Sequence, residues 1–544
     1  MTVPVDASVT ADSGSRWVRL WAAANRSLHT IERGTSLTRS ELLASLGLIP
    51  LALVVFGYGV GLVSMRVYYE ALGPYNVDTP LYWTVGRGML NGLVPYRDLY
   101  ETKPPGIFML SAFSYLLTKG FGLTHITQIL SLVFVALSPL AFVRPLLRGS
   151  AQVLRSMPVF FALWALVLLI VAYVADRGDS VQVEPHGLVG VVLYLILLGK
   201  PGRWAFFGRA LGAAIGIGMK EPFFLLIPAV YMVITPSARR KWQDLFGPLL
   251  VAAAAGTVVL LVFGWFSAYT AIYLKSMLGA HVQLTGSPVV RATTAFNMTW
   301  DDLHAYSGPL PAMLVYCMGL YLFLPEGPAG ATVVESVSKR FQALTLGLLL
   351  AGLAVGMGGL FYAHHYIFAV PLFLATIFAL MQRLPGSVSL RAGFVALTFA
   401  TVFILWTPPK VFRARAASIA TKDAAARKAA VVIDDVLDRL HVNRYLFLGP
   451  SGYVPFPYTR HSPLGPLFFQ EGMWFEGHYP WLVEQFRQRL SETQVIVVHG
   501  RSTGPFEPEV SKILAAEFSP LPARFIPAGE HVDPILVRNG LVLP

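Results

Sequence analysis

Long apolar stretches recur along most of this chain, and no soluble core could bury them all. They lie at 43–65, 122–143, 157–174, 184–199, 205–219, 221–235, 247–268, 309–324, 341–360, 362–381 and 392–407. A helix needs roughly 20 apolar residues to cross a bilayer, and several of these stretches fall short, so the expected count is about eleven spans, one or two either way. Composition agrees. Of 544 residues, 55% are hydrophobic and only 13% are charged, against about 25% charged in a soluble chain. This excludes a disordered chain, a disulfide-rich secreted domain and an ordinary cytosolic enzyme. The single cysteine, Cys317, excludes an intramolecular disulfide and a Cys-based zinc site.

The formal net charge is +12. In a soluble protein that excess would point to nucleic acid. Here it follows the rule that basic residues hold loops on the cytoplasmic side. With the N-terminus in the cytoplasm and the spans alternating, Arg144, Arg148 and Arg155 fall inside. So do Lys200, Arg203 and Arg209, the Arg239-Arg240-Lys241 cluster, Lys339 with Arg340, and Arg383 with Arg391. The segment 105–118 is long enough only for a re-entrant or interfacial helix, and counting it as a span would reverse the Arg144–Arg155 loop. Residues 16–33 read either as a basic amphipathic helix on an anionic leaflet or as a solvated tail.

The division expected is therefore a cytoplasmic tail over 1–42, a transmembrane module over 43–407 and an external domain over 408–544. The external side also receives the long first loop, 66–104, an acidic loop at 175–183 and a loop at about 269–308. In the tail, Ala416 to Leu440 reads as an amphipathic helix, and Arg444 to Leu448 and Gln494 to Val498 as short buried strands between turns. The fold class is thus mainly α, a polytopic membrane protein with a small external α/β C-terminal domain.

The first external loop interleaves aromatic, acidic and basic residues. It carries Asp78, Thr79-Pro80, Tyr82-Trp83, Gly86-Arg87-Gly88-Met89-Leu90, Gly92, Pro95-Tyr96-Arg97-Asp98, Glu101 and Lys103-Pro104-Pro105-Gly106. Tyrosine and tryptophan can stack on sugar faces or sit at headgroup level, so they decide nothing alone. The charges say more, because a plain connector would not need them.

These pieces together resemble membrane glycosyltransferases of the GT-C fold, in the protein O-mannosyltransferase-like and aminoarabinose-transferase-like branch. The motif match spans roughly forty residues, and the layout of many spans with an external C-terminal domain extends it over most of the chain. One departure stands out: many relatives carry a second acidic residue beside the first Asp, and here Thr79 follows Asp78. The resemblance implies a polyprenyl-phosphate-linked sugar donor, an acceptor that is a glycan, a lipid or a protein, and an external active site at a bacterial cytoplasmic membrane. It implies membrane lipids as partners and no nucleic acid.

That chemistry sets the residue roles. A lipid phosphate is a good leaving group, so one carboxylate that takes the acceptor's proton is enough, unlike the carboxylate pair of most hydrolases. Asp78 is the candidate general base; its alternative is a cap on a helix starting near Thr79-Pro80. Fixed cations should face the departing phosphate. Lys103 and Arg87 are the candidates, with Arg97 behind them; Lys103 also reads as a snorkelling anchor. Glu101 and Asp98 either orient these cations and bind sugar or form plain loop ion pairs. Tyr82 and Tyr96 are candidate substrate contacts.

Further along, Glu184 and His186 open a span beside the acidic loop, and a charge so placed is a functional candidate. A divalent metal on Asp176, Asp179 and His186 is left open, although the spacing fits no motif, and no cofactor is otherwise indicated. Lys220 precedes Glu221-Pro222; it either meets phosphate or is neutralised by Glu221. His364, His365 and Tyr366 stand at the mouth of another span, where relatives of the resembled family show a His-Tyr pair, and are candidate donor or acceptor contacts. The Gly212–Gly218 run reads as close helix packing rather than a phosphate cradle. The function expected is an inverting glycosyltransferase at the external face. A transporter or lipid-linked glycan flippase and a lipid-glycan ligase or polymerase are the alternatives.

Overall fold

The computed structural model describes residues 39–71, 78–101, 103–144, 150–177, 183–235, 240–275, 293, 297, 310–322, 333–356, 367–383, 393, 397–398, 400–401, 427–448, 456–464, 480–498, 507–526 and 534–542. Each apolar stretch with described residues is helical. In chain order the α-helices described up to Arg383 are α1 (Arg39–Ala71), α2 (Thr79–Leu90), α3 (Pro105–Thr118), α4 (Gly122–Leu137), α5 (Ser150–Arg177), α6 (Val183–Leu197), α7 (Arg203–Met219), α8 (Phe223–Ile234), α9 (Trp242–Val262), α10 (Leu310–Leu322), α11 (Val333–Gly356) and α12 (Val370–Arg383).

Among the described residues, three helical segments are long and apolar enough to cross a membrane: Leu43–Tyr68, Gly122–Phe142 and Trp242–Val262. The expectation of about eleven full spans is corrected accordingly. The other apolar helices, among them Ser156–Ala172, Val183–Leu197, Phe223–Ile234 and Ile367–Gln382, are shorter. The cause is local: polar and proline breaks such as Lys220-Glu221-Pro222 cut the apolar runs. A 12-residue helix like α8 rises only about 18 Å, against roughly 30 Å of hydrocarbon. The helix α3 is likewise one of the short apolar helices.

The bundle core is continuous and joins α1, α4, α5, α6, α8 and α12 through residues such as Val55, Leu132, Leu166, Val191, Ile227 and Phe378. The helices α6 and α7 cross in close backbone contact. A Cβ on Gly190 would lie 2.3 Å from the Gly212 carbonyl oxygen, and one on Gly212 would lie 2.5 Å from the Gly190 carbonyl oxygen. Only hydrogen at these positions lets the two backbones touch.

The C-terminal residues form a mixed sheet of β1 (Arg444–Leu448), β2 (Ser462–Pro463), β3 (Val495–Val498), β4 (Phe518–Pro520) and β5 (Ile535–Arg538). The order is β2-β1-β3-β5-β4. The strand β1 runs parallel to both neighbours, and β5 antiparallel to β3 and β4. Both strands expected from the sequence are present. The helix expected over Ala416 to Leu440 is present over 427–439 and ends in a turn at Leu440, while 416–426 lie outside the described residues. This sheet has no separate core. Its buried residues, Tyr445, Phe447, Ile496 and Val537 among them, come from both faces and belong to the same apolar cluster as Tyr82, Val85, Tyr96, Tyr100 and Phe108 of the 78–108 segment and Tyr273 beyond α9.

Replacing Gly190 with Ala forces the α6–α7 contact apart. Overpacking of this kind costs about 1–3 kcal/mol, and a lowered thermal unfolding midpoint of the detergent-purified protein is the expected result.

Candidate active site

The short helix α2 begins where Pro80 sets the backbone for a first helical turn. Asp78 stands at its N-cap position, yet its side chain makes no capping hydrogen bond. Its backbone carbonyl accepts the first helical hydrogen bonds, from the N–H groups of Leu81 and Tyr82 at 3.1 and 3.2 Å. The carboxylate is therefore turned to other partners: Oδ2 accepts the Tyr82 hydroxyl at 3.3 Å and lies 3.7 Å from Lys103 Nζ.

Two glycines of the loop motif set this meeting. A Cβ on Gly86 would stand 2.7 Å from the Ala112 nitrogen and 2.8 Å from the Phe108 carbonyl oxygen, so Gly86 lets α2 lie directly on α3. A Cβ on Gly106 would stand 2.4 Å from the Gly218 carbonyl oxygen. Gly106 thus seats the first turn of α3, and with it Lys103, against the end of α7, two residues from Lys220. The Lys103 carbonyl accepts the Tyr96 hydroxyl at 2.9 Å. Tyr96 itself is fully buried with φ of 69°, a left-handed conformation that its N–H to the Leu99 carbonyl stabilises.

The charges then converge. Lys103 Nζ is 3.8 Å from Glu101 Oε1, whose side chain is 3% exposed. Lys220 Nζ is 3.5 Å from Glu184 Oε1 at the start of α6, with side chains 11% and 3% exposed. Burial pulls the Lys220 ammonium below its ordinary pKa, the Lys103 charge adds to that, and Glu184, Glu221 and Asp78 oppose it. Burial likewise pushes the Tyr82 hydroxyl up, with Asp78, Glu184 and Glu101 acting in the same direction. One electrostatic cluster therefore contains Asp78, Glu101, Lys103, Glu184 and Lys220.

Glu221 does not neutralise its neighbour by a direct ion pair. Its Oε1 accepts a short hydrogen bond from the Tyr273 hydroxyl, and burial pushes its carboxyl up despite that bond and the nearby lysines. Tyr273 stacks near Tyr96, with ring centroids 4.6 Å apart. This Glu221–Tyr273 tie was not legible in the sequence. The one signal was the pair Tyr269 and Tyr273 at helical spacing after α9.

Other expected site residues are placed elsewhere. Arg87 Nη1 donates to the Pro457 carbonyl at 3.1 Å, and its guanidinium lies 4.9 Å from the Tyr115 ring centroid, so it faces the C-terminal domain. Arg97 and Asp98 form a loop ion pair at 2.8 Å, and Asp98 also accepts the Val94 N–H. His186 Nε2 meets Thr127 Oγ1 at 3.2 Å. His364, His365 and Tyr366 lie outside the described residues, as does Asp179. No group of three His, Cys, Asp or Glu is placed to hold a metal among the described residues.

A second polar group, unforeseen from sequence, flanks Trp83. Arg66 and Glu70 pair at 3.4 Å inside α1, Glu70 lies 3.6 Å from His125 Nδ1, and Trp83 Nε1 donates to Thr124 Oγ1 at 3.1 Å. All of these residues cluster at one end of the bundle. The other end holds Arg209 with Asp244 at 3.0 Å and Arg240 with the Met232 carbonyl at 2.8 Å.

No protein-family model matches the chain, and no curated protein matches it in sequence. Among solved structures it is similar to the crystal structure of ArnT from Cupriavidus metallidurans in the apo state. That likeness has 14% identity and a TM-score of 0.39, and covers 90% of this chain and 98% of that one. It is similar also to the same protein bound to undecaprenyl phosphate, at 15% identity and a TM-score of 0.39, over 92% of this chain and 99% of that one.

Breaking the buried Lys220–Glu184 pair strands a charge. Glu184→Gln alone should cost about 3 kcal/mol, whereas Glu184→Leu with Lys220→Met should cost clearly less than that. Chemical or thermal unfolding of the two variants checks the ordering.

Proposed function

We propose that this chain is an integral membrane glycosyltransferase that moves a sugar from a polyprenyl-phosphate donor to a glycan, lipid or protein acceptor at the external face of the membrane. The observation that carries this reading is the meeting of Asp78 with Lys103, beside Lys220, at one end of a bundle with membrane-length helices. The loop motif around these residues, which resembles that of GT-C enzymes, supports it.

The chemistry follows from the placement. The acceptor oxygen attacks the anomeric carbon and gives its proton to the Asp78 carboxylate. The bond from the anomeric carbon to the phosphate oxygen breaks, and its electron pair leaves with the lipid phosphate. Single displacement inverts the anomeric centre. Charge grows on the phosphate, and Lys103 and Lys220 are the cations that meet it. Lys103 sits 3.7 and 3.8 Å from Asp78 and Glu101, looser than the roughly 2.7–2.9 Å of a close charge-assisted hydrogen bond. The ammonium is thus held nearby without being locked onto either carboxylate. Tyr82, whose hydroxyl donates to Asp78, keeps the base oriented.

The test uses the protein in lipid nanodiscs with a panel of undecaprenyl-phosphate-linked pentoses and hexoses and a membrane extract as acceptor source. Asp78→Asn should bind undecaprenyl phosphate as the natural chain does and lose transfer by about 10²–10⁴-fold. Wild-type turnover in that variant would remove Asp78 from the role of base. Lys103→Gln should lose affinity for undecaprenyl phosphate itself.

The depressed Lys220 pKa adds a pH signature. Below that pKa the ammonium is present and holds phosphate. As pH rises through it the charge is lost, at a lower pH than the ordinary lysine value of about 10.4. Undecaprenyl phosphate affinity should therefore weaken on the alkaline side, and Lys220→Arg should move that loss to higher pH.

A further inference from the structure

Asp78 goes where α2 goes. Its carbonyl is bonded to the N–H groups of Leu81 and Tyr82, and its carboxylate to the Tyr82 hydroxyl. What fixes α2 therefore fixes the base. One set of anchors comes from the helix bundle: Gly86 against α3, and Trp83 stacked on Phe121 with centroids 4.8 Å apart and bonded to Thr124.

A second set comes from the C-terminal domain, hundreds of residues away in sequence. Arg87, buried in the last turn of α2, donates to the Pro457 carbonyl. Asn91, the residue after α2, donates from Nδ2 to Ser462 Oγ at 2.9 Å. The Tyr458 ring sits edge-on to Trp83 at 6.2 Å and to Phe121 at 6.5 Å, with the Arg427 guanidinium over it at 4.2 Å. The 456–463 segment that makes these contacts is itself rigidly mounted. The Asp434 carboxylate accepts the Arg460 N–H from both oxygens at 2.9 Å, Thr459 meets the buried Tyr445 hydroxyl at 3.0 Å, and Ser462-Pro463 pairs with β1.

We propose that the C-terminal domain is part of the transfer site, clamping α2 through Arg87, Asn91 and Tyr458 and so setting the position of Asp78. Arg87 is then a positioning residue rather than a phosphate ligand. The inference rests on the glycosyltransferase reading for its catalytic consequence, but the clamp itself is a structural statement with its own readout.

Three variants test it in nanodiscs: Arg87→Gln, Arg87→Lys, and Arg87→Gln carrying Asn91→Cys and Ser462→Cys bridged by a short thiol-reactive crosslinker. The sole natural cysteine, Cys317, is buried, so the bridge forms where it is placed. Arg87→Gln should lower kcat about 10- to 100-fold, as expected for a base displaced by about an ångström. Its KM for the lipid donor and its affinity for undecaprenyl phosphate should stay within about twofold of the natural chain. Amide hydrogen exchange across 79–90 should speed up in that variant. Arg87→Lys, which keeps a donor for the carbonyl, should recover most of the kcat, and the crosslink should restore both kcat and slow exchange.

Natural kcat and exchange in Arg87→Gln would overturn the proposal. Loss of undecaprenyl phosphate affinity with unchanged exchange would also overturn it, returning Arg87 to the phosphate. If the natural chain transfers no sugar from any donor of the panel, the glycosyltransferase reading fails by itself, and the exchange rates and their rescue still decide the clamp.

Discussion

Two ammonium groups held in a nearly dry site by carboxylates are the constraint on which the rest of this structure depends. Taking a charge out of water costs several kcal/mol unless a partner repays it. Lys220 and Glu184 come from the α7–α8 turn and the start of α6, and Lys103, Glu101 and Asp78 from the segment between α1 and α3. Those elements must end at the same level for the pairs to form. The glycine crossing of α6 on α7 and the seat of Gly106 on Gly218 are what bring them there.

The loop motif divides into two kinds of residue. Asp78, Glu101 and Lys103 carry charge into the cluster. Gly86 and Gly106 carry none and serve close backbone approach, while Arg87 and Asn91 reach the C-terminal domain. Tyr96 belongs to the scaffold as well, since its hydroxyl holds the Lys103 carbonyl and its ring packs on Tyr273. These residues are therefore the mounting for the three that carry the charge. The shared apolar cluster of α2, α3 and the C-terminal sheet makes the same point at larger scale.

Much of the helical architecture was legible because apolar periodicity is a local signal. The strand at Arg444–Leu448 was legible for the same reason. The break at Lys220-Glu221-Pro222 was legible too, and what the sequence overstated was the number of runs long enough to count as full spans among the described residues. Within the site, scarcity was the useful signal: Asp78, Glu101, Lys103, Glu184 and Lys220 are few and do meet. Arg87 shows the limit of that logic, because a carbonyl 370 positions away in sequence claims it and nothing local announces Pro457. The Glu221–Tyr273 bond and the Glu70–His125 contact also join residues from different elements, far beyond local spacing. His364, His365 and Tyr366 fall outside the described residues.

On the proposed function, the lysine–carboxylate cluster receives a lipid phosphate beside Asp78. Cryo-electron microscopy of the protein in nanodiscs with undecaprenyl phosphate tests it most directly. Phosphate density is expected within hydrogen-bond reach of Lys103 and Lys220, with the Asp78 carboxylate set apart from it, across the space that the donor sugar would fill. Phosphate density against Arg87, or at the opposite end of the bundle beside Arg209 and Arg240, would contradict it.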